Sequence, residues 1–131
     1  MKKNKTLEDK MLTEVELELM TIIWKLKEAS VAEVIEELPE GRKLAYTSVS
    51  TIIRILEQKD IVRSRKEGRG HLYFPNIKKE DYESKAVKHV VEKVFNGTPL
   101  LLVKQLLSDS NLSEQEINEI KELIKNNGTK P

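Results

Sequence analysis

Three short apolar stripes of helical period, followed directly by a cation-bearing run of period two, leave this chain few ways to fold. Val15, Leu19, Ile22, Ile23 and Leu26 recur at helical intervals beside Trp24, and Thr13 with Glu16 has capping-box spacing, which predicts a helix over about 14–27. Ser30 with Glu33 repeats the start signal, and Val31, Val34, Ile35 and Leu38 fall at i, i+3, i+4 and i+7 before Pro39 and Gly41 stop the helix. Val49, Ile52, Ile53 and Leu56 repeat that spacing and predict a third helix over about 46–58. The period then shortens through Ile61 to Lys66, passes two glycines at 68 and 70, and resumes in His71, Leu72, Tyr73, Phe74 and Pro75, the pattern of a hairpin over 62–75.

From Lys79 the pattern is helical again, and Tyr82, Ala86, Val87, Val90, Val91, Val94 and Phe95 cover more than one face before Asn96-Gly97 ends the element. Pro99 opens a segment that is apolar nearly all round, and Ser113 with Glu116 starts a last helix that runs until Asn126-Asn127-Gly128. The side chains Val87, Val90, Val91, Val94, Leu100, Leu101, Leu102, Leu106, Leu107, Ile117, Ile120 and Ile124 offer more apolar surface than about 50 residues bury within one chain. A two-fold partner, making a homodimer, is the expected solution, and folding back onto the helical core is the alternative. The expected organisation is a flexible tail over 1–11, a winged helix-turn-helix domain over 12–78 and a helical dimerisation region over 79–131. The fold class is mostly α with a small β-hairpin.

Charge sharpens the picture once it is counted by segment. Residues 8–40 carry 3 basic and 10 acidic side chains, whereas residues 42–75 carry 8 basic and 3 acidic ones, in a chain of net charge +1. A local excess of cations beside an acid-rich stretch points to a polyanion as partner or, alternatively, to a solvated charged face. Helix, helix, helix and cationic hairpin is the layout in which the third helix enters the major groove of duplex DNA and the hairpin lies along the backbone. Opposite its apolar stripe that helix shows Thr47, Ser50, Thr51, Arg54 and Gln58, groove-reading donors and acceptors without an acid. Tyr46 at the helix start can donate to a phosphate oxygen, and Arg63, Arg65, Lys66 and Arg69 give the hairpin its charge. Ordinary solvation of the helix, and a charge-protected edge for the hairpin, are the competing readings.

Other classes fall away. The chain has no Cys, so disulfides, Cys-based metal sites and Cys nucleophiles are excluded, and His71 and His89 are too few for a His-rich site. No Gly-rich phosphate loop is present, so neither an enzyme nor a cofactor is expected. The longest apolar run, Pro99 to Val103, is far short of the roughly 20 residues of a membrane span, and the basic start is followed by acid instead of an apolar core, so no membrane role and a cytoplasmic location are expected. A protein-interaction module that uses the winged fold without DNA, with residues 8–40 meeting a basic partner, is the alternative function.

The stretch from Leu44-Ala45-Tyr46-Thr47-Ser48 through Ile61-Val62, with Glu67-Gly68-Arg69-Gly70-His71-Leu72-Tyr73-Phe74-Pro75, resembles the penicillinase-repressor family (BlaI/MecI/CopY). Leu12 to Met20 and on to Trp24, together with Lys93-Val94-Phe95-Asn96-Gly97, extend the resemblance over roughly residues 12–125. It implies a dimeric bacterial transcriptional repressor on a palindromic operator, with Thr47, Ser48, Ser50, Thr51 and Arg54 facing the groove. It also implies Arg65, Arg69, His71 and Tyr73 on or beside the wing, although His71 and Tyr73, alternating along a strand, fit packing beneath the wing equally well. By the same resemblance Val87, Val91, Val94, Leu101, Leu102, Leu106, Ile117, Ile120 and Ile124 belong to the dimerising helices. Two departures bear on induction by a sensor or protease partner. Where members induced by β-lactam signalling are cut at an Asn-Phe bond, this chain has Gln105-Leu106, and it lacks the Cys cluster of copper-responsive relatives.

Overall fold

The computed structural model describes residues 11–109 and 111–128. Its elements run α1 (Glu14–Leu26), α2 (Val31–Glu36), α3 (Tyr46–Gln58), β1 (Val62–Glu67), β2 (Gly70–Pro75), α4 (Lys79–Val94), α5 (Pro99–Asp109) and α6 (Glu114–Gly128). The architecture is a winged helix-turn-helix followed by a helical region, as the change of period implies. The expected tail over 1–11 lies, apart from Met11, outside the described residues.

Local chemistry explains the helix starts. Thr13 and Ser30 each accept from the backbone N–H three residues on, and Glu16 and Glu33 each accept from the cap residue's own N–H, so both predicted capping boxes are closed. α2 is shorter than its apolar spacing suggests. Glu37 and Leu38 donate to Val34 and Ile35, bonds that tighten the last turn and carry Leu38 out of the helix while it still packs on the core. Leu19, Met20, Ile23, Val34, Val49, Ile53 and Leu56 are fully shielded from solvent at the centre of the three helices, and Val62 and Tyr73 close the core from the wing.

The two strands pair antiparallel around a two-residue loop, Gly68-Arg69, since Glu67 stands opposite Gly70. Gly68 has φ +59, the left-handed value that the first loop position of a type II′ turn demands and that glycine supplies without strain. A third backbone segment joins the ladder, because Ala29 exchanges N–H···O bonds of 2.9 and 2.8 Å with Tyr73.

The chain divides into two compact units between His89 and Val90, inside α4, whereas the change of pattern suggests a division at 78–79. The first turns of α4 belong to the winged unit because Tyr82 is buried there. Its ring lies 5.9 Å from that of Trp24, its phenolic oxygen accepts from the Leu12 N–H at 3.0 Å, and the Trp24 indole donates to the Ile77 carbonyl at 3.0 Å. In the second unit the end of α4 is closed by Gly97, whose N–H donates to the Val91 carbonyl at 2.8 Å with Asn96 and Gly97 both at positive φ. α5 buries no residue, and α6 opens on a third capping box, Ser113 with Glu116. No described helix is long and apolar enough to cross a membrane.

Candidate nucleic-acid interface

The apolar stripe of α3 decides what its other side can do. With Val49, Ile53 and Leu56 buried in the core, the helix turns Tyr46, Thr47, Ser48, Thr51, Arg54 and Gln58 to solvent, and Ser50 is half-buried. The row of hydroxyls and one guanidinium expected from spacing is therefore present on one exposed face. The Arg54 guanidinium lies 3.3 Å from the Ser50 hydroxyl one turn earlier. No side chain caps α3, whose N-cap is Ala45, and its first turn holds no acid, so its free N–H groups and positive dipole end face outward uncompensated.

α3, the first turn of α2 and the wing enclose a cleft of about 710 Å³ lined by Ser30, Tyr46, Ser50, Arg54, His71 and Tyr73 among others. At its floor the Ser64 hydroxyl donates to the Glu57 carboxylate at 2.7 Å, which ties the wing to α3. Tyr73 is buried beside that carboxylate, and burial together with the Glu57 charge holds its phenol above the usual tyrosine range. His71 is exposed, with its ring 6.3 Å from that of Tyr73. Of the two readings open for these residues, Tyr73 packs beneath the wing and His71 faces solvent.

The segmental charge imbalance is partly cancelled by folding. Glu18 of α1 grips Arg42 with two bonds of 2.9 Å, Glu16 of α1 binds Lys59 at 2.9 Å, and Glu28 after α1 lies 2.7 Å from Arg65. Three acids of the acidic stretch thus neutralise three cations of the basic one. Glu28 first, then Glu67 at 3.4 Å, hold the Arg65 guanidinium more firmly protonated still. Among the described residues Lys43, Arg54, Arg63, Lys66 and Arg69 have no ion-pair partner; Arg54 stands in the hydroxyl row itself, and Arg69 lines the cleft beside it. The sequence shows Lys66 as part of the wing's charge, but its facing depends on strand register, which spacing alone does not fix. No group of His, Asp or Glu among the described residues could hold a metal ion.

The apolar side chains expected from sequence to dimerise differ from the core in exposure. Val87, Val94, Leu101, Leu106, Ile117 and Ile124 are exposed, Leu102 and Ile120 are half-buried, and only Val91 of that set is buried.

Comparison with known proteins places this geometry. Residues 12–126 match the family described as penicillinase repressor. The penicillinase repressor of Bacillus licheniformis is 32% identical over 113 residues, which make up 86% of this chain and 88% of that protein. The methicillin resistance regulatory protein MecI of Mammaliicoccus sciuri is 30% identical over 121 residues, 92% of this chain and 96% of its own. The solution structure of the DNA-binding domain of the repressor BlaI aligns with a TM-score of 0.51 and 33% identity, covering 60% of this chain and 93% of that domain.

Proposed function

The chain belongs to the penicillinase repressor family, and from that premise we propose that it is a dimeric transcriptional repressor acting on a palindromic operator, with α3 in the major groove and the wing along the backbone. The family is one of repressors, not enzymes. The observation that carries the proposal is the face of α3 bearing exposed Thr47, Ser48, Thr51 and Arg54 with half-buried Ser50, free of acid in its first turn and with its one carboxylate, Glu57, bonded to Ser64 of the wing. Hydroxyls and a guanidinium there can reach base edges, Arg54 by a fork onto guanine, while Tyr46, Arg69 and the free first turn of α3 bind phosphate.

The unburied apolar side chains of the second unit support the dimer. Val94 is 65% and Leu106 48% exposed within one chain, and a second copy of the same helices would cover them. Two winged domains joined in this way engage two half-sites as one tighter binder. Gln105-Leu106 in α5, exposed in the single chain, stands where members induced by β-lactam signalling are cut at an Asn-Phe bond, so we propose no cleavage at that bond.

Selection of bound sequences from a random duplex pool, followed by salt titration of the selected and a scrambled duplex, tests the proposal. The parent must prefer a two-fold-symmetric site and lose affinity steeply with salt. Arg54→Ala should lose about 1–3 kcal/mol on the selected site and little on the scrambled one, whereas Arg69→Ala should weaken both alike. Affinity that is indifferent to salt on every duplex would refute the reading.

A further inference from the structure

Strand register decides which cations of the wing face α3. Ser64 stands opposite Tyr73, Arg65 opposite Leu72 and Lys66 opposite His71. Residues opposite one another in an antiparallel pair share a face, and residues two apart along a strand share it too. Val62 and Tyr73 are buried, and Ser64 bonds to Glu57 of α3, so the inner face carries Val62, Ser64 and Lys66 on β1 with His71 and Tyr73 on β2. The outer face then carries Arg63 and Arg65, while Glu67, at the end of β1 next to the loop, lines the cleft beside α3.

The Ala29–Tyr73 bridge extends this phase to the loop between α1 and α2. Ala29 pairs with an inner-face residue, so Glu28 beside it falls in phase with the outer face, and its carboxylate lies 2.7 Å from Arg65. Arg65 thus reaches across β2 from β1 to the α1–α2 loop, flanked by Glu67 on its own strand. Lys66, one residue on, is exposed on the inner face with His71 and has no ion-pair partner among the described residues.

We propose that Lys66, sharing the inner face of the wing with His71, is a second phosphate contact of the wing besides Arg69, and that Arg65 with Glu28 is a positioning pair that sets the wing's angle without touching DNA. The proposal rests on the reading of this protein as a DNA binder. It predicts opposite signs for two simple variants. If Glu28 only competes with phosphate for Arg65, removing its charge tightens binding; if the pair positions the wing, removing it loosens binding.

The test uses the full chain, with affinities for a labelled random duplex and for a selected duplex measured across a potassium chloride series. Lys66→Gln should reduce the slope of log affinity against log salt by about 0.9, the share of one phosphate contact. Arg65→Gln should leave that slope at the parent's value and weaken binding by the same factor, about two- to fivefold, at every salt concentration. Glu28→Gln should weaken binding to a similar degree, the Glu28→Gln/Arg65→Gln double variant should be no worse than either single one, and Glu28→Arg combined with Arg65→Glu should recover affinity. Tighter binding by Glu28→Gln, or a flatter slope for Arg65→Gln with none for Lys66→Gln, overturns the assignment. A parent with no salt-dependent affinity for either duplex is a separate failure, that of the DNA reading itself.

Discussion

Replacing Glu16 by Gln isolates one ion pair that joins α1 to the end of α3. Glu16 is 7% exposed and its carboxylate accepts from the Lys59 ammonium at 3.0 and 2.9 Å, while also accepting from the Thr13 N–H at 2.9 Å. Lys59 is the C-cap of α3, so this contact braces the junction where α3 ends and the wing begins. Gln keeps the acceptor that the capping box needs and removes only the charge. A fully buried pair that loses one partner costs about 3–5 kcal/mol. The Lys59 side chain is 31% exposed, so water recovers part of that loss, and about 2 kcal/mol is expected, a fall in Tm of roughly 10 °C for a unit of this size. Glu16→Ala also opens the cap and should cost about 1 kcal/mol more. The pH dependence gives an independent readout. Burial pushes the Glu16 carboxyl up, but the Thr13 N–H and Lys59 outweigh it and hold the group below its ordinary value of 4.5. Its contribution is therefore complete above pH 4.5 and is lost as pH falls through the lower folded value. Urea unfolding of parent and Glu16→Gln from neutral pH downward should show two curves that converge in acid. Parallel curves, or a variant as stable as the parent at neutral pH, would refute this account of the pair.

Two further outcomes follow from backbone and surface. Gly68→Ala places a side chain at φ +59 in open space, so only the backbone cost remains, and unfolding free energy should fall by about 1 kcal/mol in a thermal melt. Leu106→Glu alters a half-exposed side chain of the single chain and should spare its fold, yet weaken self-association about a hundredfold in sedimentation equilibrium, because in the proposed dimer the charge enters the face that a second copy covers.

What the sequence discloses of this fold is what lies within one turn or one strand. Thr13 with Glu16, Ser30 with Glu33 and Ser113 with Glu116 are contacts three residues apart, and all three form where spacing puts them. The hydroxyl row of α3 was equally legible, because burying Val49, Ile53 and Leu56 leaves its facing no freedom. Legibility ends where two distant segments must be brought together. The attachment of α4's first turns to the winged unit depends on Tyr82 meeting Trp24, 58 positions apart in a sequence that does not say which of its six aromatic residues pair. Inner and outer faces of the wing depend on a register that a one-residue slip would invert.

Acids and cations counted separately along the chain miss a coupling that the fold imposes. The acidic stretch, read alone, suggests a basic partner, yet Glu16, Glu18 and Glu28 spend their charge on Lys59, Arg42 and Arg65 of the same molecule. The same acids that brace the winged unit therefore decide which cations are left for a polyanion. Eight basic side chains between residues 42 and 75 would release counterions with a slope of about 7 per winged domain if all met phosphate, whereas the five without an ion-pair partner among the described residues set a ceiling of about 4.5. A slope well above that ceiling on a random duplex would mean that DNA breaks these internal pairs, and the braces would then be switches instead of supports.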